Sequence, residues 1–390
     1  MNNIKLKTLL LLQQASEHRT LEDLTEFYML NLHYLQDYTI INSTETNNSI
    51  DLYSVFSDIA NVKEQVYTPF CGEKINIVNT SIVGRGILTG DGKAGVQGYI
   101  SFDTQVISYF YRYYKKQINS LPQNINDIIQ LLHTNPMGVE YLPYTVENLA
   151  FSEKNVSEVR HAIYAFERLY SQNRASRLWC LYRANRIIRR YNRWRKSEDF
   201  IFVKMYYLIY AALLKMCYIH LKHKTRSLEQ KMIELCDFMN DELCVMMQPE
   251  LILARYYFDQ GQKCTFFGKI QRNNDKNLEN IKNMAWDLFH LRMLEQGCAI
   301  RMNERADVNI PYFCTYDRRL LNVKECYELK SISINYKTGE KFPFYSKTGE
   351  IVEYLQEYET QEQLVSRMSR LPNVELEKVI DLLETEIHQI

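Results

Sequence analysis

An α/β fold is the architecture that the sequence predicts, and three observations predict it. Two short apolar runs, Tyr99–Phe102 and Ile310–Cys314, read as buried strands; the first ends in Asp103, which opens a helical pattern, and the second leads through Thr315 and Tyr316 into Asp317. Between them, residues 156–259 carry an almost unbroken helical pattern. Near the end, Lys337-Thr338-Gly339-Glu340 recurs as Lys347-Thr348-Gly349-Glu350, two turn signals that suggest β-hairpins.

The elements follow in order. Residues 1 to about 70 read as mainly helical: Leu21, Leu24, Phe27, Tyr28, Leu30 and Leu32 give an apolar face after a Thr20 start, with Glu22 and Asp23 in the first turn. The polar stretch Asn42–Ser49 reads as a surface loop. The glycine-rich segment Gly84–Gly98 contains "GDGKAG" but no Ser or Thr after Lys93, and a strand rather than a helix follows, so it reads as a hairpin or loop and not a phosphate cradle. A helix begins near Gln105, a second covers Asn124–His133, and Glu140–Leu142 is short and extended before Pro143. Gln271–Asn277 is a polar connection, Leu278–Gln296 a helix, and Gln361–Ile390 a helical tail.

Composition narrows the function classes. The 390-residue chain has 47 basic and 47 acidic residues, so no chain-wide charge announces a partner and local charge must decide. Only 13 glycines argue against a loop-rich all-β protein. The nine cysteines contain no C-x-x-C pair, which points away from a disulfide framework or zinc ribbon and toward a reducing cytoplasm. The stretch Thr8–Leu12 is too short for a signal sequence. Phe200–Ile219 has membrane length but carries Lys204 and Lys215, and reads as a buried core helix.

Four acids share one context. Asp103 in "YISFDTQV" and Asp317 in "YFCTYDRRLL" end strands. Glu147 in "LPYTVENLAF" and Asp287 in "NMAWDLFHL" lie among apolar helical residues. Each suits a cap or turn, yet acids in such surroundings are costly unless paired, hydrogen-bonded or bound to a cation. Acids at the ends of several parallel strands would also converge on one sheet edge, where ligands bind.

In this order, Asp103, Glu147, Asp287 and Asp317 resemble the acids of the PIN-domain nucleases. "ISFDTQV" is similar to the family's first context and "CTYDRRLL" to its last, with Thr315 as the family's hydroxyl. The resemblance covers 99–152 and 278–330. It implies a PIN-like parallel sheet flanked by helices (99–155 and 278–330), interrupted by a large all-helical insertion (156–277). A β-hairpin plus helix C-terminal tail (331–390) would follow. Residues 1–98 would either complete the core or form a separate domain. The implied activity is metal-dependent hydrolysis of phosphodiester bonds. Asp103, Asp287 and Asp317 would ligate Mg²⁺ or Mn²⁺, Glu147 would orient a second ion or the water, and Thr315 would hold the Asp317 carboxylate or the water. RNA is slightly favoured over DNA because the family leans that way.

Residues Arg168–Lys196 hold nine arginines, one lysine and no acid. Arg183, Arg186, Arg190 and Arg193 share a helical face, and Tyr182, Tyr191 and Trp194 are interleaved. Arginine grips phosphate bidentately and aromatic rings stack on unpaired bases. Arg177, Arg183, Arg186, Arg190, Arg193 and Trp194 are therefore the expected nucleic-acid contacts. Two other readings fit this helix: a nucleic-acid-binding protein without catalysis, and a helical scaffold docking an acidic protein. The histidines form no H-E-x-x-H pair, and His290 reads as a packed residue rather than a ligand. No G-x-S-x-G elbow occurs.

Overall fold

The computed structural model describes residues 3–47, 49–56, 60–89, 94–135, 137–151, 155–196, 201–298 and 306–390. The chain is a mixed α/β protein that divides into two compact units. The first comprises residues 1–198, 292–316 and 329–344, and the second comprises 199–291, 317–328 and 345–390.

The first unit begins with α1 (Asn3–Ala15), α2 (Leu21–Leu30) and α3 (Leu32–Leu35). Strands β1 (Tyr38–Thr44), β2 (Ile50–Asp51), β3 (Val66–Tyr67) and β4 (Lys74–Val78) follow, then α4 (Thr80–Thr89) and β5 (Val96–Phe102). Next come α5 (Thr104–Tyr114), α6 (Ile125–Thr134), β6 (Gly138–Glu140), α7 (Leu142–Leu149), α8 (Val156–Tyr170) and α9 (Arg177–Arg195). Late in the chain, β7 (Val308–Cys314), β8 (Leu329–Asn335) and β9 (Lys341–Tyr345) complete its sheets. One sheet has the order β2-β4-β1-β8-β9, with β1 antiparallel to both β4 and β8. The other has the order β3-β7-β5-β6, with β5 parallel to both β6 and β7.

The start of α2 is as the sequence reads: the Thr20 side chain accepts from the Asp23 N–H at 3.1 Å, with Glu22 and Asp23 in the first turn. Leu24 and Tyr28 turn inward onto Leu11, Leu12, Ala15, Leu35, Ile40 and Val78. Truncating one of these leucines to alanine would cost about 2–5 kcal/mol.

The expectation of a mainly helical stretch from residue 1 to about 70 is corrected by β1, and that of a surface loop over Asn42–Ser49 is corrected at Asn42–Thr44, which belong to β1. Asn42, Ser43 and Thr44 are buried strand residues. The polarity of Asn42 and Thr44 is absorbed by hydrogen bonds. Asn42 Nδ2 donates to the carbonyls of Ala15 (2.7 Å) and His18 (3.0 Å), and Ser331 donates to Asn42 Oδ1 (2.6 Å). Thr44 donates to the Arg19 carbonyl (2.7 Å). A satisfied polar side chain can be buried at little net cost, so polarity alone did not mark a loop. The glycine-rich segment is partly helical, because Gly84 lies within α4, while Gly90–Lys93 lie outside the described residues.

Of the two repeated turns, the first joins β8 to β9, where Gly339 takes φ +75 and Asn335 Oδ1 accepts from the N–H groups of Lys337 and Thr338. The second does not form a hairpin. Thr348–Glu350 is a single 3-10 turn leading into a helix.

The second unit is helical. It contains α10 (Ile201–Lys222), α11 (Leu228–Asp241), α12 (Gln248–Gln260), most of α13 (Asn277–Gly297), α14 (Arg318–Val323), α15 (Val352–Leu355), α16 (Gln361–Arg370) and α17 (Leu376–His388). The long helical run of the sequence thus divides, with α8 and α9 in the first unit and α10–α12 in the second. Helix α10 packs on α11, α12 and α17. By length and composition it could cross a membrane, and 56% of that stretch is buried within the protein. Tyr210 on α10 donates to Glu384 on α17 at 2.7 Å, and Lys282 approaches the same carboxylate at 2.9 Å.

Candidate functional site

Three parallel strands of the first unit end together. Phe102 pairs with Cys314 and Ser101 with Glu140, so Asp103, Thr315 and Glu140 come to one edge of the sheet. The ladder continues one step further, because the Asp103 N–H donates to the Cys314 carbonyl at 3.0 Å. Asp103 then caps α5. Its Oδ1 accepts from the Gln105 N–H at 3.2 Å. Its Oδ2 accepts from the Thr315 hydroxyl at 2.6 Å. Thr315, expected to hold Asp317 or a water, holds Asp103.

Glu147 arrives from α7, which packs against β5, α8 and α9. The hydroxyl of Thr104, next in sequence to Asp103, donates to Glu147 Oε2, and Asn148 Nδ2 donates to the same hydroxyl at 3.2 Å. A chain of neighbours, Thr315–Asp103–Thr104–Glu147, is thereby assembled from both ends of the sequence. Thr104 and Asn148 were not singled out from the sequence. The available signal was a hydroxyl or amide immediately after each acid, in "DT" and "EN".

Glu140 ends β6 and accepts from the Leu142 N–H at 2.8 Å. Burial raises its pKa above the usual value, partly offset by that N–H and by the Arg190 charge. Arg190 lies on α9, so the basic helix bears electrostatically on this edge.

Asp317 and Asp287 belong to the second unit. Asp317 caps α14, accepting from the Arg319 N–H at 2.8 Å, and Arg319 Nη2 donates to its Oδ2 at 2.8 Å. Burial raises the Asp317 pKa, but the bonds from Arg319 outweigh it and hold the carboxyl below its usual range. The Arg319 pKa is raised by Asp317 first and also by the charge of Asp287. Among the described residues, no group of three or more His, Cys, Asp and Glu is placed to hold a metal ion. His290 is buried beside Phe289.

Helix α9 opens with a Ser176 cap on the Trp179 N–H (3.1 Å) and buries Cys180, Ala184, Ile188 and Tyr191. Arg183 is turned inward. Its Nη2 lies 3.1 Å from the buried Glu167, which also accepts from Tyr141 at 2.9 Å. Arg177, Arg186, Arg189, Arg190 and Arg193 are exposed and form no ion pair among the described residues. Arg190 lies over the Trp194 ring at 4.2 Å. Of the expected contacts, Arg183 is therefore half-buried, paired with Glu167 and lying over the Trp179 ring at 5.3 Å, whereas Trp179, Tyr182 and Arg189 are exposed. Comparison with protein-family models, curated proteins and solved structures finds no match to this chain.

Proposed function

We propose that the chain is a metal-dependent nuclease of PIN-like architecture that hydrolyses phosphodiester bonds, RNA slightly ahead of DNA. One observation carries the reading: Asp103, at the carboxyl end of parallel strands, accepts from the Thr315 hydroxyl, and the next residue, Thr104, donates to Glu147 on α7, the helix that packs against the arginine-rich α9. The donor set is all oxygen, which suits Mg²⁺ or Mn²⁺, and an octahedral Mg²⁺ takes one or two carboxylates and keeps several waters. Asp103 and Glu147 would hold the ion. Bound there, it would lower the pKa of a water and neutralise charge on the scissile phosphate.

The chain's own residues supply orientation. The Thr315 hydroxyl fixes the Asp103 carboxylate and the Thr104 hydroxyl fixes Glu147, while the exposed arginines of α9 bind backbone phosphate. In this proposal Asp317 and Asp287 keep Arg319 as their counter-charge. The test is cleavage of labelled single-stranded RNA and DNA with Mn²⁺, comparing wild type with Asp103→Asn and Glu147→Gln. Cutting that disappears in both variants, with melting temperature unchanged, supports the site. Cutting that persists in both removes it.

A second reading is favoured by the exposed arginines of α9 (Arg177, Arg186, Arg189, Arg190 and Arg193), which form no ion pair among the described residues: a nucleic-acid-binding protein without catalysis. It predicts binding that weakens steeply with salt and ignores Mn²⁺. Docking of an acidic protein predicts instead that the bound partner survives nuclease treatment.

A further inference from the structure

The exposed face of α9 is ordered along its length. Trp179, Tyr182, Arg186, Arg189 and Arg193 recur at alternating steps of three and four residues, which keeps them on one stripe of a helix. At 1.5 Å per residue the stripe is about 21 Å long. Its first turn is aromatic and the remainder cationic. Trp179 and Tyr182 are 45% and 57% exposed, an unusual position for large rings in a solvated helix.

We propose that this stripe is a track for single-stranded nucleic acid, with unpaired bases stacked on Trp179 and Tyr182 and backbone phosphates gripped by Arg186, Arg189 and Arg193. The inference rests on the nucleic-acid reading above and adds the substrate class. Charge complementarity selects a polyanion, because the three arginines have no acidic partner among the described residues. The rings select single strands. A duplex keeps its base faces stacked inside and shows a helix only base edges and phosphates, leaving Trp179 and Tyr182 nothing to stack on. A lipid surface is disfavoured because an interfacial helix must lay its apolar face in the bilayer, and the α9 apolar face of Cys180, Ala184, Ile188 and Tyr191 is buried against the protein. Beside the track, Arg190 bears electrostatically on Glu140, whose strand ends at the same sheet edge as the strand that leads to Asp103.

The experiment uses the full chain in EDTA, so that binding is read without cutting. Fluorescence anisotropy is measured on a labelled oligouridylate of about 20 nucleotides, longer than the ~4–16-nucleotide range of single-strand sites, and on a duplex of equal length. The single strand should bind at least about 10-fold tighter. Trp179→Ala with Tyr182→Ala should weaken it by at least about 30-fold and leave the duplex unchanged. Arg186→Ala, Arg189→Ala and Arg193→Ala together should flatten the log–log salt slope by about 2. Melting curves confirm that these exposed substitutions leave the fold intact.

Equal or tighter duplex binding, or an unaffected aromatic variant, overturns the track. So does binding of phosphatidylserine vesicles or polyglutamate, through the same arginines, in place of the single strand. The two readings fail separately. Mn²⁺ cleavage lost in Asp103→Asn, but with α9 variants that bind like wild type, keeps the nuclease and removes the track. Aromatic-dependent binding with no cleavage at any Mn²⁺ concentration keeps the track and removes the nuclease.

Discussion

Asp103 and Asp317 occupy the same grammatical position in two different units. Each follows a buried strand and caps the next helix, through the N–H two residues on. They differ in what meets the second carboxylate oxygen. Asp103 Oδ2 receives a threonine hydroxyl, and Asp317 Oδ2 receives a guanidinium. A hydroxyl orients a carboxylate without neutralising it, whereas a guanidinium does both. Capping explains why an acid stands at each position. The bond on the outer oxygen is one difference between the two acids.

The largest test of this contrast is catalytic. Asp103→Asn should lower Mn²⁺-dependent cleavage by more than the ~100-fold upper cost of losing an orienting partner, while Asp317→Asn should leave it nearly unchanged. A comparable loss in Asp317→Asn would erase the distinction. Thr315→Val should come next, with cleavage reduced about 10- to 100-fold and little change in melting temperature.

Stability gives smaller effects. Asn caps a helix as well as Asp does, so Asp317→Asn keeps the cap and loses the partly exposed charge pair with Arg319, about 1 kcal/mol or less. Because the folded pKa of Asp317 is depressed, that contribution is present above the ordinary value of 3.8 and lost as pH falls through the folded value. Melting curves of wild type and variant should therefore converge in strong acid. Glu140 has the opposite sign and the least effect. Its folded pKa is raised, so its contribution is full below 4.5 and lost as pH rises through the folded value. Glu140→Gln should melt slightly higher than wild type at neutral pH and equally below pH 4.5. A lower melting point at neutral pH would mean that Arg190 dominates burial.

Much of this was legible in the sequence where pattern and chemistry coincide. The runs ending at Phe102 and Cys314 are apolar, short and followed by acids, and they are strands. The helices near Gln105, Asn124 and Leu278 fall within a residue or two of α5, α6 and α13. What was hidden depends on partners distant in sequence. Nothing near Thr315 indicates that its hydroxyl reaches back to Asp103. Arg319 lies two residues from Asp317 and was visible, but a pair of adjacent arginines does not declare which one turns inward. Arg183 is the same case on α9: its spacing matched the exposed face, and only the buried Glu167 reveals that it points the other way. Strand β1 was missed for the reason that its polar residues find their partners on α1, the following loop and β8.

That strand has a consequence for how the protein is made. β1 pairs with β8, Ile41 opposite Ile332 and Asn42 opposite Ser331, so its second edge waits for a segment about 290 residues downstream. At translation rates of about 5–20 residues per second, the wait is about 15–60 seconds. A long apolar edge left open for that time invites pairing with other nascent chains. The run Asn42-Ser43-Thr44 makes a poor template for such pairing, yet it docks fully once Ser331 arrives with the matching hydroxyl. Asn42→Val should therefore raise aggregation of nascent chains, and it should also lower the melting temperature of the finished fold, because it strips Ala15, His18 and Ser331 of a buried partner.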